Sequence, residues 1–247
     1  MDRMIYTALS GMESALTRQR VTASNLANAQ TPGFRAETFT VDPAVLEGPS
    51  LEARTLNRGY VHGADMKFGT VVETGQPLDI AIKGEALIAL QASDGAEVYS
   101  RRGDLSVGAS GVLENGDGRP VMGENGPITV PAGFAVSIGG DGSVFAADPA
   151  APDAPAQAVG RIKLASPAGS GIAKDLDGFL RVIGGGVLPT DQAAQVTSGA
   201  LEKSNVDTTK VLADMIEAQR SFERRAKLMT TAGKLDEAGT RLMSLRS

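Results

Sequence analysis

The sequence contains no cysteine, no tryptophan and a single histidine, His62, in 247 residues. Without cysteine there is no disulfide, no thiolate metal site and no thiol nucleophile. One histidine leaves no zinc site of the multi-histidine kind. The missing cysteines do not indicate a compartment, because reducing and oxidising settings both tolerate their absence. No apolar run approaches the roughly 20 residues needed to span a bilayer, so membrane insertion is not expected. The opening M-D-R-M-I-Y-T-A-L-S-G-M has an acid at position 2 and no continuous apolar region, and so does not read as a secretory signal peptide. A net charge of −5 speaks against nucleic acid, where a basic face supplies most of the affinity.

Aromatic residues are scarce, at 4%, while glycines number 30, a composition of many turns and thin packing such as β segments joined by tight loops produce. The charge is uneven. Acids outnumber bases from Glu37 to Asp153, and the last stretch of the chain leans basic.

Residues 4–28 carry a helical period: Ile5, Leu9, Met12, Leu16, Gln19, Ala23 and Leu26 recur at alternating steps of 4 and 3, a heptad seam with one polar member. Thr31-Pro32-Gly33 ends this helix, since proline biases its predecessor away from helix and glycine accepts a tight turn. Asn25 and Asn28 lie on the helix just before that stop, and Phe34 and Arg35 just after it. An asparagine near a helix C-terminus either caps it or, like a polar residue in a coiled-coil core, fixes register against a neighbour. The residues alone leave the two readings even.

From Phe34 to about Met66 there is no firm period, and Pro43, Gly48, Pro49, Gly59 and Gly63 suggest an extended connector with short strands at most. From Phe68 to Ile183 short apolar runs alternate with turn signals. The runs are 78–82, 86–90, 136–138, 143–145 and 161–164; the separators include Asp94-Gly95, Asn115-Gly116-Asp117-Gly118, Gly139-Gly140-Asp141-Gly142 and Asp177-Gly178. Asp-Gly and Asn-Gly between apolar runs are hairpin signals, so this region predicts an antiparallel β domain, with 147–157 a Pro/Ala loop within it.

The helical period returns after Ser204-Asn205-Val206, with Asp207 or Asn205 as the expected N-cap. Leu212, Met215, Gln219, Phe222, Ala226 and Met229 follow at alternating steps of 3 and 4, and the seam continues in a shifted register through Leu235, Leu242 and Leu245. Gly233 and Gly239 each cost this helix roughly 1 kcal/mol. The predicted fold is therefore α+β. Helices 1–33 and 204–247 form an antiparallel, coiled-coil-like discontinuous domain; 34–67 and 184–203 are outgoing and returning connectors; 68–183 is a central antiparallel β domain. Each helix carries a narrow apolar stripe that must be covered by the other helix, by neighbouring subunits, or by both.

Little in the sequence supports catalysis, and no cofactor or metal site is expected. His62 lies in the loop-like G-Y-V-H-G-A-D-M, and no serine has a G-x-S-x-G setting. The 29 acids are scattered over turns and helix faces rather than set as a catalytic pair. The Gly116–Gly118 and Gly139–Gly142 loops complete neither a phosphate loop nor a calcium loop. The basic cluster Arg220, Arg224, Arg225 and Lys227 is interleaved with Glu217 and Glu223, as on a solvated or intersubunit helix face.

The stretch S-N-L-A-N-A-Q-T-P-G-F-R (24–35) resembles the N-terminal signature of bacterial flagellar rod and hook proteins, and G-A-L-E-K-S-N-V-D-T-T-K-V-L-A-D-M-I-E-A-Q-R (199–220) their C-terminal signature. Y-S-R-R-G-D-L (99–105), G-R-P-V-M-G (118–123) and V-G-R-I-K-L (159–164) agree in order between them. Within that family the length, the opening I-Y-T-A-L-S-G-M and Pro32 resemble the proximal rod members, with the distal rod member as the rival. A secreted β-domain binding module is the reading from another class.

The resemblance implies a structural subunit that stacks helically with copies of itself and other rod proteins and passes torque from motor to hook. It implies location in the basal-body rod, after export through the flagellar type III apparatus without a cleaved leader. It also tips the asparagines towards an assembly interface. The expected interface comprises the two seams (Ile5, Leu9, Met12, Leu16, Ala23 and Leu26; Leu212, Met215, Gln219, Phe222, Ala226 and Met229), the turn Asn25, Asn28, Pro32, Gly33 and Phe34, and the helix entry Ser204, Asn205 and Val206.

Overall fold

The structure is a computed structural model that describes residues 2–45, 55–151, 153–175 and 177–244. Gly48, Pro49 and Leu245 fall outside it, as do the side chains of Ile5, His62 and Leu242. The described chain is α+β, with a helix near each end of the sequence and between them a long series of strands that pair antiparallel wherever a register is defined. No described helix is long and apolar enough to cross a membrane. Two compact units share it: residues 1–27, 37–63 and 207–247 form one, residues 28–36 and 64–206 the other.

The first unit holds helix α1 (Asp2–Ala27) and helix α2 (Thr208–Ser244). At about 1.5 Å per residue these are roughly 39 and 55 Å long. Asp207 is the cap of α2. Its Oδ1 accepts from the Thr209 and Lys210 N–H groups at 2.9 and 3.1 Å, two of the orphan donors of a helix start. Asp207→Ala is therefore expected to cost about 1 kcal/mol, read as reduced helix content and a lower melting point.

The stretch expected to be an extended connector with short strands at most holds two long strands, Glu37–Val45 and Thr55–Ala64, paired with each other. Here the pattern misled, because Pro43, Gly59 and Gly63 lie inside strands rather than between them. Gly59 has a packing reason: a Cβ there would sit 2.5 Å from Ser14 Oγ and 2.8 Å from the Phe39 ring, so only glycine lets this strand lie on α1.

The second unit is the β domain. Its largest sheet has five strands in the order Leu164–Ala165, Leu87–Gln91, Glu97–Ser100, Leu180–Val182, Ile172–Lys174. A three-stranded sheet runs Ala135–Ile138, Ser143–Ala147, Gln157–Arg161. The turn signals at Asp94-Gly95, Gly139–Gly142 and Asp177-Gly178 each join neighbouring strands, as expected. The run 161–164 does not form one strand: one ends at Arg161, the next begins at Leu164, and Ile162 between them makes an isolated bridge to Gly123.

The returning segment also belongs to this unit. Val196–Ser198 pairs with Ile80–Ile82, and Ala200–Glu202 with Val71–Glu73. The core is aliphatic, built on Ile80, Ile88, Leu90, Val98, Leu113, Val121, Val144, Ile162 and Leu164, with a second cluster around Leu87, Tyr99 and Leu188. Tyr99 is accommodated by donating to Glu97 Oε1 at 2.8 Å and accepting from the Leu188 N–H at 2.6 Å. Burial of the ring pushes its hydroxyl well above the ordinary tyrosine range.

Candidate functional site

On α1 the buried residues are Gly11, Ser14, Ala15, Val21, Thr22 and Asn25, a stripe of mostly small side chains. On α2 the covered stripe runs through Val211, Met215, Ala218, Phe222, Arg225 and Met229, with Ala218 fully buried. The helices meet across these stripes. Arg18 pairs with Asp214 at 3.2 Å and Glu217 at 3.8 Å, and the Arg225 guanidinium lies over Gly11, where a Cβ would be 1.6 Å from Arg225 Nη1. Small residues at the contact let the axes approach closely.

The heptad seam of α1 points elsewhere. At about 100° per residue, Leu9, Leu16 and Ala23 lie roughly opposite the small-residue stripe, with Met12, Gln19 and Leu26 on its shoulder. Leu9 and Leu16 are each 39% exposed and Ala23 is exposed, whereas Met12 and Leu26 are half-buried. On α2, Leu212, Ile216 and Gln219 are exposed, as are Leu228, at 62%, and Leu235; Ala226 and Met229 are half-buried. The seam of α2 is thus split: Met215, Phe222 and Met229 turn towards the covered stripe, while Leu212 and Gln219 do not.

Asn25 is buried, and its amide takes both functions of one backbone residue: the Glu37 N–H donates to Asn25 Oδ1 at 2.7 Å, and Asn25 Nδ2 donates to the Glu37 carbonyl at 3.0 Å. This is the pattern of a β-ladder pair made by a side chain. Ser24 adds a bond to Glu37 Oε1 at 3.0 Å. The two Asn25 bonds tie the end of α1 to the first residue of the following strand. Asn28 is half-buried and accepts from Thr31, through its carbonyl at 3.1 Å and its Oδ1 at 3.2 Å, closing the turn.

Asn205 acts similarly in the other unit. Its Oδ1 accepts from the Ala36 N–H at 2.7 Å, and its Nδ2 donates to the Asp65 and Lys67 carbonyls at 2.7 and 2.9 Å. The outgoing and returning segments are stitched side by side. Ser204 and Val206 flank Asn205, half-buried; Pro32 and Phe34 are half-buried, with Lys174 Nζ 3.6 Å from the Phe34 ring centroid.

The strongest electrostatic feature went unnoticed in the sequence. Glu202, 2% exposed, lies between two arginines. Arg35 Nη1 is 2.9 Å from Glu202 Oε1; Arg101 Nε and Nη2 are 2.7 and 2.6 Å from Oε2. The Gly69 N–H donates to Oε1 at 2.8 Å, and the Gly33 N–H donates to the Glu202 carbonyl at 2.7 Å. Arg101 spends its remaining donors on the carbonyls of Ile82, Gly84 and Ala86 at 2.6–2.8 Å. Arg35 Nη1 also bonds the Lys67 carbonyl. Burial pulls the Arg35 guanidinium below the ordinary arginine range; Glu202 opposes this and Arg101 adds to it. Among the described residues no cluster of three histidine, cysteine or carboxylate side chains is placed to hold a metal.

Three family models match the chain. Residues 5–35 match the model described as "Flagella basal body rod protein", residues 81–146 the "Flagellar hook protein FlgE/F/G D1 domain", and residues 197–242 the "Flagellar basal body rod FlgEFG protein C-terminal". Arg35, Arg101 and Glu202 fall one in each matched stretch. The chain is 40% identical over 251 residues to the flagellar basal-body rod protein FlgF of Salmonella typhimurium, covering 99% of this chain and all of that one. It is 41% identical to FlgF of Escherichia coli, over 97% of this chain and 96% of the relative. It is also 30% identical to the basal-body rod protein FlgG of Bacillus subtilis, over 95% and 97% respectively.

Proposed function

The chain belongs to the flagellar basal-body rod protein family, and from that premise we propose that it is a structural subunit of the proximal rod, where it stacks helically with other axial proteins to carry torque from motor to hook. The observation that carries this reading is the direction of the helix faces. α1 and α2 satisfy each other through small and mixed residues and leave Leu9, Leu16, Leu212, Ile216, Leu228 and Leu235 open to solvent. Fully burying such a side chain is worth about 1.5–3 kcal/mol, so this surface favours association strongly. On α2 these residues lie on two flanks rather than one, which suits a helix with several neighbours. Arg18 meets residues 214 and 217 while Gly11 meets 225, so the pair runs antiparallel.

In this reading the two helices form the inner layer of the rod, packing coiled-coil fashion against neighbours through contacts that do not close into a ring. The subunit reaches the basal body through the flagellar type III apparatus. Its role is mechanical rather than enzymatic.

Two charge insertions test the reading. Leu16→Lys and Leu228→Lys are each expected to change the stability of the isolated chain by no more than about 1 kcal/mol, because the positions are already open. Each is expected to abolish incorporation into basal bodies and swimming. A variant that unfolds no sooner and still builds rods removes the helix faces from the interface. A distal position in the rod is the second reading. Locating the tagged chain along isolated basal bodies separates the two.

A further inference from the structure

In the β domain a cavity of about 210 Å³ opens beside the buried triad, lined by Arg35, Met66, Phe68, Glu85, Ala168 and Ile172 among others. Arg35 is only 3% exposed, and its Nη1 is used by Glu202 and the Lys67 carbonyl. Its Nε and Nη2 are buried and have no hydrogen-bond partner. An unmade hydrogen bond on a buried charged donor is costly, and the triad carries two positive charges against one negative. The Phe68 ring, 5.5 Å from the Arg35 guanidinium carbon and 5.1 Å from that of Arg101, offers its π face but no acceptor atom.

We propose that this cavity receives an aspartate or glutamate side chain from a neighbouring rod subunit, whose carboxylate takes the two free donors of Arg35. The proposal rests on the rod reading for the identity of the neighbour. Its chemistry rests on the cavity. A carboxylate accepts two parallel N–H bonds from one guanidinium edge and brings the buried charge to zero. Met66, Phe68, Pro167 and Ile172 supply apolar walls for the methylene stem. Subunits of this kind have acids to offer: the chain carries 29 acidic against 24 basic residues, with the excess between Glu37 and Asp153. The cavity's own rim carboxylate, Glu85, is exposed.

The test places a photo-cross-linking amino acid at Ala168 in the full chain, expressed in flagellated cells. Irradiation is expected to join it to another rod subunit, within a peptide that contains an aspartate or glutamate. Ala168→Phe, which plugs the mouth, is expected to weaken association about tenfold or more and to lower the yield of rods accordingly. Ala168→Glu supplies the carboxylate from the chain itself, and is expected to raise the melting point of the isolated subunit while blocking assembly.

Glu85→Gln is expected to leave assembly intact. Normal rods from Ala168→Glu, adducts confined to peptides without an acid, or loss of rods from Glu85→Gln each overturn the proposal. The rod reading fails on a different observation, the absence of the unmodified chain from purified basal bodies.

Discussion

A Gly33→Ala chain is expected to melt roughly 4–20 °C below its parent, from a loss of about 2–5 kcal/mol spread over a cooperative unit of this size. Two independent costs add. Gly33 has φ +64°, where a Cβ costs about 1–2 kcal/mol in any surroundings. A Cβ here would also stand 2.3 Å from the Arg101 carbonyl carbon and oxygen and 2.5 Å from the Arg102 nitrogen. Those are backbone atoms and cannot rotate away, so overpacking adds about 1–3 kcal/mol. The Gly33 N–H donates to the Glu202 carbonyl, and the displacement that relieves the clash pulls on that bond too.

Gly95 is the control. It has φ +82° with nothing within 4 Å of a Cβ, so Gly95→Ala carries the conformational cost of about 1–2 kcal/mol alone. Thermal denaturation followed by circular dichroism compares the two. Equal shifts show that the close approach at Gly33 contributes nothing.

Both helices and the Asp-Gly turns followed from local patterns, because each rests on residues close in sequence. The heptad seam of α1 was visible because leucine and methionine carry a strong hydropathy signal. The face that packs inside the subunit was not, because Gly11, Ser14, Ala15 and Thr22 carry almost none. Small residues are chosen there for closeness rather than for transfer free energy.

The paired strands from Glu37 to Ala64 were hidden because proline and glycine, the usual punctuation, stand within them. Asn25 and Asn205 resisted assignment for a different reason: each serves a backbone segment 12 or more residues away, which no local template contains. The triad is the extreme case. Arg35, Arg101 and Glu202 stood inside the quoted signatures, yet nothing in one sequence says that three charges so far apart converge.

That triad gives the second large effect. Glu202→Gln, a change of one atom, is expected to cost about 3–5 kcal/mol, the usual penalty for leaving a buried charge unpaired. The geometry leaves the amide no acceptable orientation. Oε1 accepts from Gly69 and Arg35, and Oε2 from Arg101 twice, so either flip points an NH₂ group at N–H donors. Two guanidinium groups then share a dry site with no anion between them.

The partner change distinguishes this from a lost shape. Arg35→Met in the Glu202→Gln background removes one of the stranded cations, so the double variant is expected to be more stable than the two single costs added together, by about 0.5–3 kcal/mol. Asp214→Asn serves as the surface comparison: its pair with Arg18 has side chains about one-third exposed on both sides, and its loss is expected to cost under about 1 kcal/mol. Urea unfolding of the four variants measures all these terms on one scale. A Glu202→Gln cost as small as that of Asp214→Asn means that water reaches the triad, and that its charges neither hold the outgoing, central and returning segments together nor leave Arg35 in need of an acid.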